Sequence, residues 1–168
     1  MRKISNGVNI PKGQKMEKTI EIYKFMDPRR IIDIKSNTKD DALKELTEVI
    51  FTSDKIKNKE LFIKKIFERE KLMSTGIGYG IAVPHIRDKS VKDFVIAFGR
   101  KKSGLEYDSI DNKPVKLIFM IGASNKQDKD YIRVLSKLVL RLKSKKFVKQ
   151  LLNANDSNEI YGMIKTHD

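Results

Sequence analysis

Two short runs, Phe94-Val-Ile-Ala-Phe98 and Val115-Lys-Leu-Ile-Phe-Met-Ile121, most tightly limit what this chain can fold into. Each is dense in β-branched and aromatic residues and too short for a helix, so each is predicted to be a largely buried strand. Helical patterns lie on both sides of them. Thr38 and Asp41 open a helix in which Ala42, Leu43, Leu46, Val49 and Ile50 recur at helical spacing to about Phe51. Asn58 caps a second, with Phe62, Ile63, Ile66 and Phe67 as its apolar face and Glu68-Arg69-Glu70 at its end. Beyond the second strand run, Ile132, Leu135, Leu138, Val139 and Leu142 predict the apolar face of a long helix from Asp128. Phe147, Val148, Leu151 and Leu152 predict a shorter helix, and Asp156 with Glu159 caps a last one carrying Ile160, Met163 and Ile164.

Ahead of these, Ile20, Ile22, Tyr23 and Phe25 form a short element that must stop before Pro28, because proline holds Asp27 out of the helical region. Ile31, Ile32 and Ile34 suggest a brief strand, while Ser103-Gly104 and Asp111-Asn112-Lys113-Pro114 are predicted loops. The sum is a single α/β domain, a mixed β-sheet flanked by helices, over residues 19–168. Residues 1–18, with Gly7, Pro11 and Gly13 among basic and polar side chains, are expected to be a flexible basic extension.

Composition narrows the chemistry. The chain has no cysteine, which excludes disulfide scaffolds, thiol catalysis and thiolate metal sites and suits a reducing compartment. No apolar run approaches a membrane span, and Met1-Arg-Lys-Ile-Ser-Asn-Gly7 has no apolar block behind it, so neither membrane insertion nor a secretory signal is expected. The cytoplasm is the expected location. Thirty-six Lys and Arg against 22 Asp and Glu give a formal net charge of +14. Such a surface attracts nucleic acid, anionic membranes or acidic proteins, or is simply a set of solvated lysine-rich faces. Arg133, Lys137 and Arg141 recur at four-residue intervals and therefore share a helix face. No recognition motif or interleaved aromatic accompanies them, so nucleic acid ranks last among the partners.

The segment Arg69-Glu-Lys-Leu-Met-Ser-Thr-Gly-Ile-Gly-Tyr-Gly-Ile-Ala-Val-Pro-His85 carries the chemistry. Gly76, Gly78 and Gly80 resemble a nucleotide fingerprint only superficially: a helix comes before them, an extended proline-ended run comes after, and no Walker lysine follows. No nucleotide cofactor and no metal is expected. The glycines instead suggest a loop turning from helix to strand, with backbone amides near the histidine. His85 follows Pro84, which marks a strand edge or terminus and leaves the imidazole accessible. Neutral imidazole is a good nucleophile near pH 7, although on spacing alone a lone histidine is more often a satisfied structural residue than a nucleophile.

The same segment resembles the active-site region of type-2 enzyme IIA proteins of the bacterial sugar phosphotransferase system, fructose/mannitol class, with most likeness to the nitrogen-regulatory branch. Tyr107-Asp-Ser-Ile-Asp-Asn-Lys-Pro-Val115 and the Leu117 to Ile121 strand extend the resemblance over roughly residues 20 to 166. It implies a type-2 enzyme IIA fold and a phosphotransferase in which His85 accepts a phosphoryl group from the histidine phosphocarrier protein. The group is then relayed to an enzyme IIB or used to signal to regulatory targets. Arg69 matches the family's phosphate-facing arginine, while Ser74, Thr75, Gly78 and Gly80 are candidates for positioning phosphate or for shaping the turn.

Two positions depart from the family pattern. Ile86 stands where a small residue usually follows the histidine, and a branched side chain there would crowd a docking face. Tyr131 stands where the family has its second histidine; a phenol can donate a hydrogen bond but cannot become cationic near pH 7. Both leave transfer efficiency open and give weight to an alternative, a regulatory binding module of the same fold that no longer relays phosphate. His167 is expected to be a solvated tail residue.

Overall fold

The structure is a computed structural model and describes residues 18–168. The extension expected over residues 1–18 therefore lies, Lys18 apart, outside the described residues. Among the described residues no helix is long and apolar enough to cross a membrane.

Six strands form one mixed sheet: β1 (Ile31–Asp33), β2 (Gly76–Gly78), β3 (Ile81–Ala82), β4 (His85–Arg87), β5 (Val95–Leu105) and β6 (Val115–Ala123). The order is β1-β5-β6-β3-β2, with β4 also on β6. β5 and β6 run antiparallel at the centre, and β1 lies parallel to β5. β3 and β4 follow one another along the same edge of β6, both parallel to it, interrupted only by Val83-Pro84. Among the described residues five α-helices cover the sheet: α1 (Lys39–Ile50), α2 (Lys59–Leu72), α3 (Asp128–Leu142), α4 (Lys145–Asn153) and α5 (Ser157–Thr166). The predicted caps form, with Thr38, Asn58 and Asp156 accepting the Asp41, Leu61 and Glu159 amides.

Strand alternation divides the core into two layers. Ile81, Val83, Ile96, Phe98, Leu117, Phe119 and Ile121 pack with α3, α4 and α5. Ala82, Ile86, Val95, Ala97, Ile118 and Met120 pack with α1 and α2. The helices are thus held to both faces by the two strand runs that the sequence made conspicuous.

Three local expectations are corrected. Ser103-Gly104 is not a loop: β5 continues through it with a bulge, and Leu105 pairs with Val115. Gly104 has a φ of +84°, and a Cβ there would come within 2.8 Å of the Pro114 side chain. The glycine segment is a tight β2–β3 hairpin, with Tyr79 and Gly80 at φ 58° and 77°. On α3 the buried residues are Val134, Leu138 and Leu142, whereas Ile132 is 65% exposed. Two positions along a helix differ by about 200°, so burying Val134 turns Ile132 outward.

The shared basic face of α3 is turned to internal use. Arg133 donates to the Lys18 carbonyl and to Asp130, and Lys137 donates to the Ile20 carbonyl. Lys137 and Arg141 both pair with Asp168. A nucleic-acid-binding face at these three positions is therefore not what the fold builds. His167, expected to be solvated, does sit at the surface, but its ring packs against Phe147 at 4.9 Å.

Candidate functional site

His85 opens β4, one residue past Pro84. It shares the strand phase of Ile81 and Val83, so its side chain faces the α3 layer and not α1 and α2. Its Nδ1 lies 2.6 Å from the Val83 carbonyl oxygen. A carbonyl can only accept, so Nδ1 carries the proton and Nε2 keeps its lone pair. Burial holds the imidazole pKa below its ordinary value; the Val83 carbonyl pulls the other way, and the Arg69 charge adds to the depression. At neutral pH the ring is an uncharged nucleophile with a fixed tautomer.

Arg69, His85 and Tyr131, far apart in the sequence, line one cleft of about 340 Å³ together with Ile86 and Arg87. The Tyr131 ring lies 6.0 Å from that of His85. Burial raises the phenol pKa, so Tyr131 remains a neutral donor. Arg69 is at the end of α2, where it donates to the Met73 carbonyl at 2.8 Å and so completes the helix terminus. A larger cavity of about 550 Å³ shares Arg69 and His85 with this cleft and is lined also by Met73, Ile77, Ile110, Leu135, Val139 and Asp108. Met73, Ile77 and Ile110 are exposed there, an apolar rim around a polar centre.

The floor of the site is a buried polar network that the sequence did not announce. Glu70 Oε1 accepts the Thr75 amide and lies 3.0 Å from Lys39 Nζ, while Oε2 accepts the Thr75 hydroxyl at 2.6 Å. Thr75 Oγ1 also lies 3.1 Å from the Tyr107 hydroxyl, and Lys39 Nζ sits 4.6 Å over the Tyr107 ring. The Thr75 carbonyl accepts the Val83 amide. A continuous set of bonds therefore connects the end of α2 to the residue whose carbonyl orients His85. Glu70 could have been found from its spacing, since it continues the Phe62–Ile66 face of α2.

The remaining sequence candidates fall into two pairs. Ser74 and Thr75 line the larger cavity with His85; the Thr75 hydroxyl is buried in the Glu70 network, and the Ser74 hydroxyl donates to the Tyr107 carbonyl. The Gly78 amide donates to Ser109, and the Gly80 carbonyl accepts the Lys116 and Leu117 amides. Gly78 and Gly80 line neither cavity beside His85 and shape the hairpin. Ile86 is 6% exposed and belongs to the α1–α2 core layer, since neighbours on a strand point to opposite faces. The expected crowding of the docking face does not arise from its side chain. Among the described residues no group of three or more His, Asp and Glu is arranged to hold a metal ion.

Comparison with known proteins agrees with this geometry. Residues 24–167 match the family described as phosphoenolpyruvate-dependent sugar phosphotransferase system, EIIA 2. The chain is 36% identical over 137 residues to the fructose-specific EIIABC component of the Bacillus subtilis phosphotransferase system, covering 82% of this chain but 22% of that much longer protein. It is 37% identical over 114 residues to a nitrogen regulatory protein homolog of Haemophilus influenzae, covering 67% of this chain and 70% of the relative. The crystal structure of nitrogen regulatory protein IIA-Ntr from Neisseria meningitidis superimposes with a TM-score of 0.79 at 28% identity, covering 85% of this chain and 98% of that one. The Escherichia coli mannitol enzyme IIA, solved in complex with phosphorylated enzyme IIB, shares the fold with a TM-score of 0.70 at 21% identity, over 81% and 94% of the chains. Cleft, fold and relatives converge, and the chain belongs to the EIIA 2 family of the phosphoenolpyruvate-dependent sugar phosphotransferase system.

Proposed function

We propose that the protein is a phosphocarrier enzyme IIA that accepts a phosphoryl group on Nε2 of His85 from the histidine phosphocarrier protein. It then relays the group to an enzyme IIB or signals its phosphorylation state to a regulatory target, in the cytoplasm. The observation that carries this reading is the Nδ1 contact with the Val83 carbonyl, which commits Nε2 to nucleophilic attack.

The step balances without an added base. The Nε2 lone pair forms the new P–N bond as the donor's P–N bond breaks, and that electron pair stays with the donor nitrogen. A donor ring protonated on its other nitrogen leaves as neutral imidazole. The phosphorylated His85 ring keeps its Nδ1 proton against Val83, so positive charge travels with the phosphoryl group. What remains is in-line positioning and neutralisation of the equatorial oxygens. Arg69 serves the second task, using the N–H groups that Met73 leaves unused. Tyr131 offers a neutral phenol hydrogen-bond donor. The exposed apolar rim of Met73, Ile77 and Ile110 suits a protein partner, as phosphohistidine exchange between proteins requires. Relatives named as fructose-specific and as nitrogen regulatory match at comparable identity, so relay and signalling are both within this reading.

The test is a reconstituted relay with phosphoenolpyruvate, enzyme I and the cognate phosphocarrier, followed by intact-protein mass. One acid-labile phosphoryl adduct is expected on the wild type and none on His85→Ala. No adduct on the wild type, beside a positive-control enzyme IIA, would leave the fold serving as a binding module.

A further inference from the structure

We propose that Arg87 is the second phosphate-binding cation of this site, held at rest by Asp128 and released to the phosphoryl group when His85 carries one. The inference rests on the reading that His85 is the phosphoryl acceptor.

Arg87 lies two residues beyond His85 on β4, so the two side chains leave the strand on the same face while Ile86 turns into the core. Arg69, His85, Arg87 and Tyr131 line the same cleft. The Arg87 guanidinium carbon sits 5.9 Å from the Tyr131 ring centroid, and that ring in turn lies 6.0 Å from the imidazole. Tyr131 is thus flanked by the nucleophile and by Arg87. The charges of Arg69 and Arg87 both act on its phenol.

Acceptor sites leave room for a second guanidinium. A phosphoryl group on histidine brings about two negative charges near pH 7, spread over three equatorial oxygens. Arg69 and the Nδ1-protonated His85 ring supply one positive charge each, but the ring offers those oxygens no hydrogen bond, and Tyr131, neutral and held so by burial, offers a single one. The other cation lining the cleft, Lys65, stands on α2 in an exposed pair with Glu68 and, unlike Arg87, shares no strand face with His85 and offers no bidentate fork. Arg87 is paired with Asp128 in the first turn of α3. That pair is solvent-facing, with side chains 38% and 73% exposed, and exposed pairs contribute only about 0–1 kcal/mol. A bidentate guanidinium–phosphate contact is stronger than that, so exchange of Asp128 for a phosphoryl oxygen is downhill. Asp128 keeps a favourable position at the helix N-terminus after it lets go. Asp88, the other carboxylate on this strand end, accepts the Ser90 amide.

The test compares Arg87→Gln, Arg87→Lys and Asp128→Asn with the wild type, using two phosphoryl donors: the phosphocarrier relay and the small-molecule donor phosphoramidate. Three quantities are read: the initial rate of His85 phosphorylation, the ³¹P titration of the phosphohistidine, and the thermal midpoint of the unphosphorylated protein. Arg87→Gln is expected to slow phosphorylation by about tenfold or more and to raise the ³¹P-detected phosphoryl pKa, with the thermal midpoint unchanged. Arg87→Lys should recover part of both, and Asp128→Asn should raise the equilibrium phosphorylated fraction. Wild-type rate and ³¹P titration in Arg87→Gln overturn this inference alone and leave the His85 reading intact. A loss that tracks a lowered thermal midpoint, with no rescue by lysine, assigns Arg87 a structural role and also overturns it. No wild-type adduct from either donor overturns both.

Discussion

Two edges of the same sheet hold arginine in opposite ways. At the β1–β5 edge Arg100 is 2% exposed, binds both carboxylate oxygens of Asp33, and donates to the Leu151, Leu152 and Ala154 carbonyls at the end of α4. At the β4 edge Arg69 donates, among the described residues, only to the Met73 carbonyl, and Arg87 meets a solvent-facing Asp128. A guanidinium has five donors in a rigid fork, and burial demands that they be satisfied. Arg100 spends Nε, Nη1 and Nη2 on protein acceptors, which fits a structural role. Arg69 and Arg87 retain donors toward an open cleft beside a nucleophile, which is where an anion can complete them.

The contrast is open to direct challenge. Arg100→Leu should lower stability by about 3 kcal/mol in urea denaturation, because it orphans buried α4 carbonyls as well as Asp33. A loss below about 1 kcal/mol would erase the distinction between the two edges. Glu70→Ala should lower stability by about 2 kcal/mol, since the Thr75 amide, the Thr75 hydroxyl and Lys39 all lose a buried partner. An accompanying loss of hydrogen-exchange protection at the Val83 amide would tie that network to His85. Arg69→Gln should behave in the reverse sense, shifting stability by less than about 1 kcal/mol while slowing phosphoryl uptake about tenfold. A variant that unfolds instead would make Arg69 a second structural arginine.

The smallest effect concerns pH. The folded-state pKa of His85 is below its ordinary value because the ring is buried, so as pH falls through about 6.5 the unfolded chain takes up a proton first. Stability that is fully present above that value is lost as pH falls toward the folded-state pKa. Wild type should therefore lose up to about 1 kcal/mol between pH 7 and pH 6 relative to His85→Gln. Parallel pH profiles for the two proteins would show that the imidazole is as easily charged in the fold as in water.

Much of this was legible before any coordinates, and the reason is locality. Thr38, Asn58 and Asp156 cap their helices through bonds made within three residues. The Phe94–Phe98 and Val115–Ile121 runs needed no partner to declare themselves as strands, and Ala82-Val83-Pro84-His85 pointed to the residue that lines the cleft with Arg69. The failures are tertiary. Ile132 and Val134 are equally apolar, and only the sheet decides which is buried. Ser103-Gly104 reads as a turn until Val115 pairs with Leu105 across it. The spacing of Glu70 puts it on the buried face of α2, but not its network, because Thr75, Tyr107 and Lys39 come from three other segments. Ile86 seemed obstructive because its direction depends on strand phase, which sequence alone had not fixed at the Pro84 break.

Helix α3 has two masters. Its first turn presents Tyr131 and Asp128 to the His85 cleft, while Arg133, Lys137 and Arg141 grip residues 18 to 20 and Asp168. One helix therefore carries both sets of contacts, and the pairing of Asp168 with Lys137 and Arg141 lies on the same rod as the phenol beside His85.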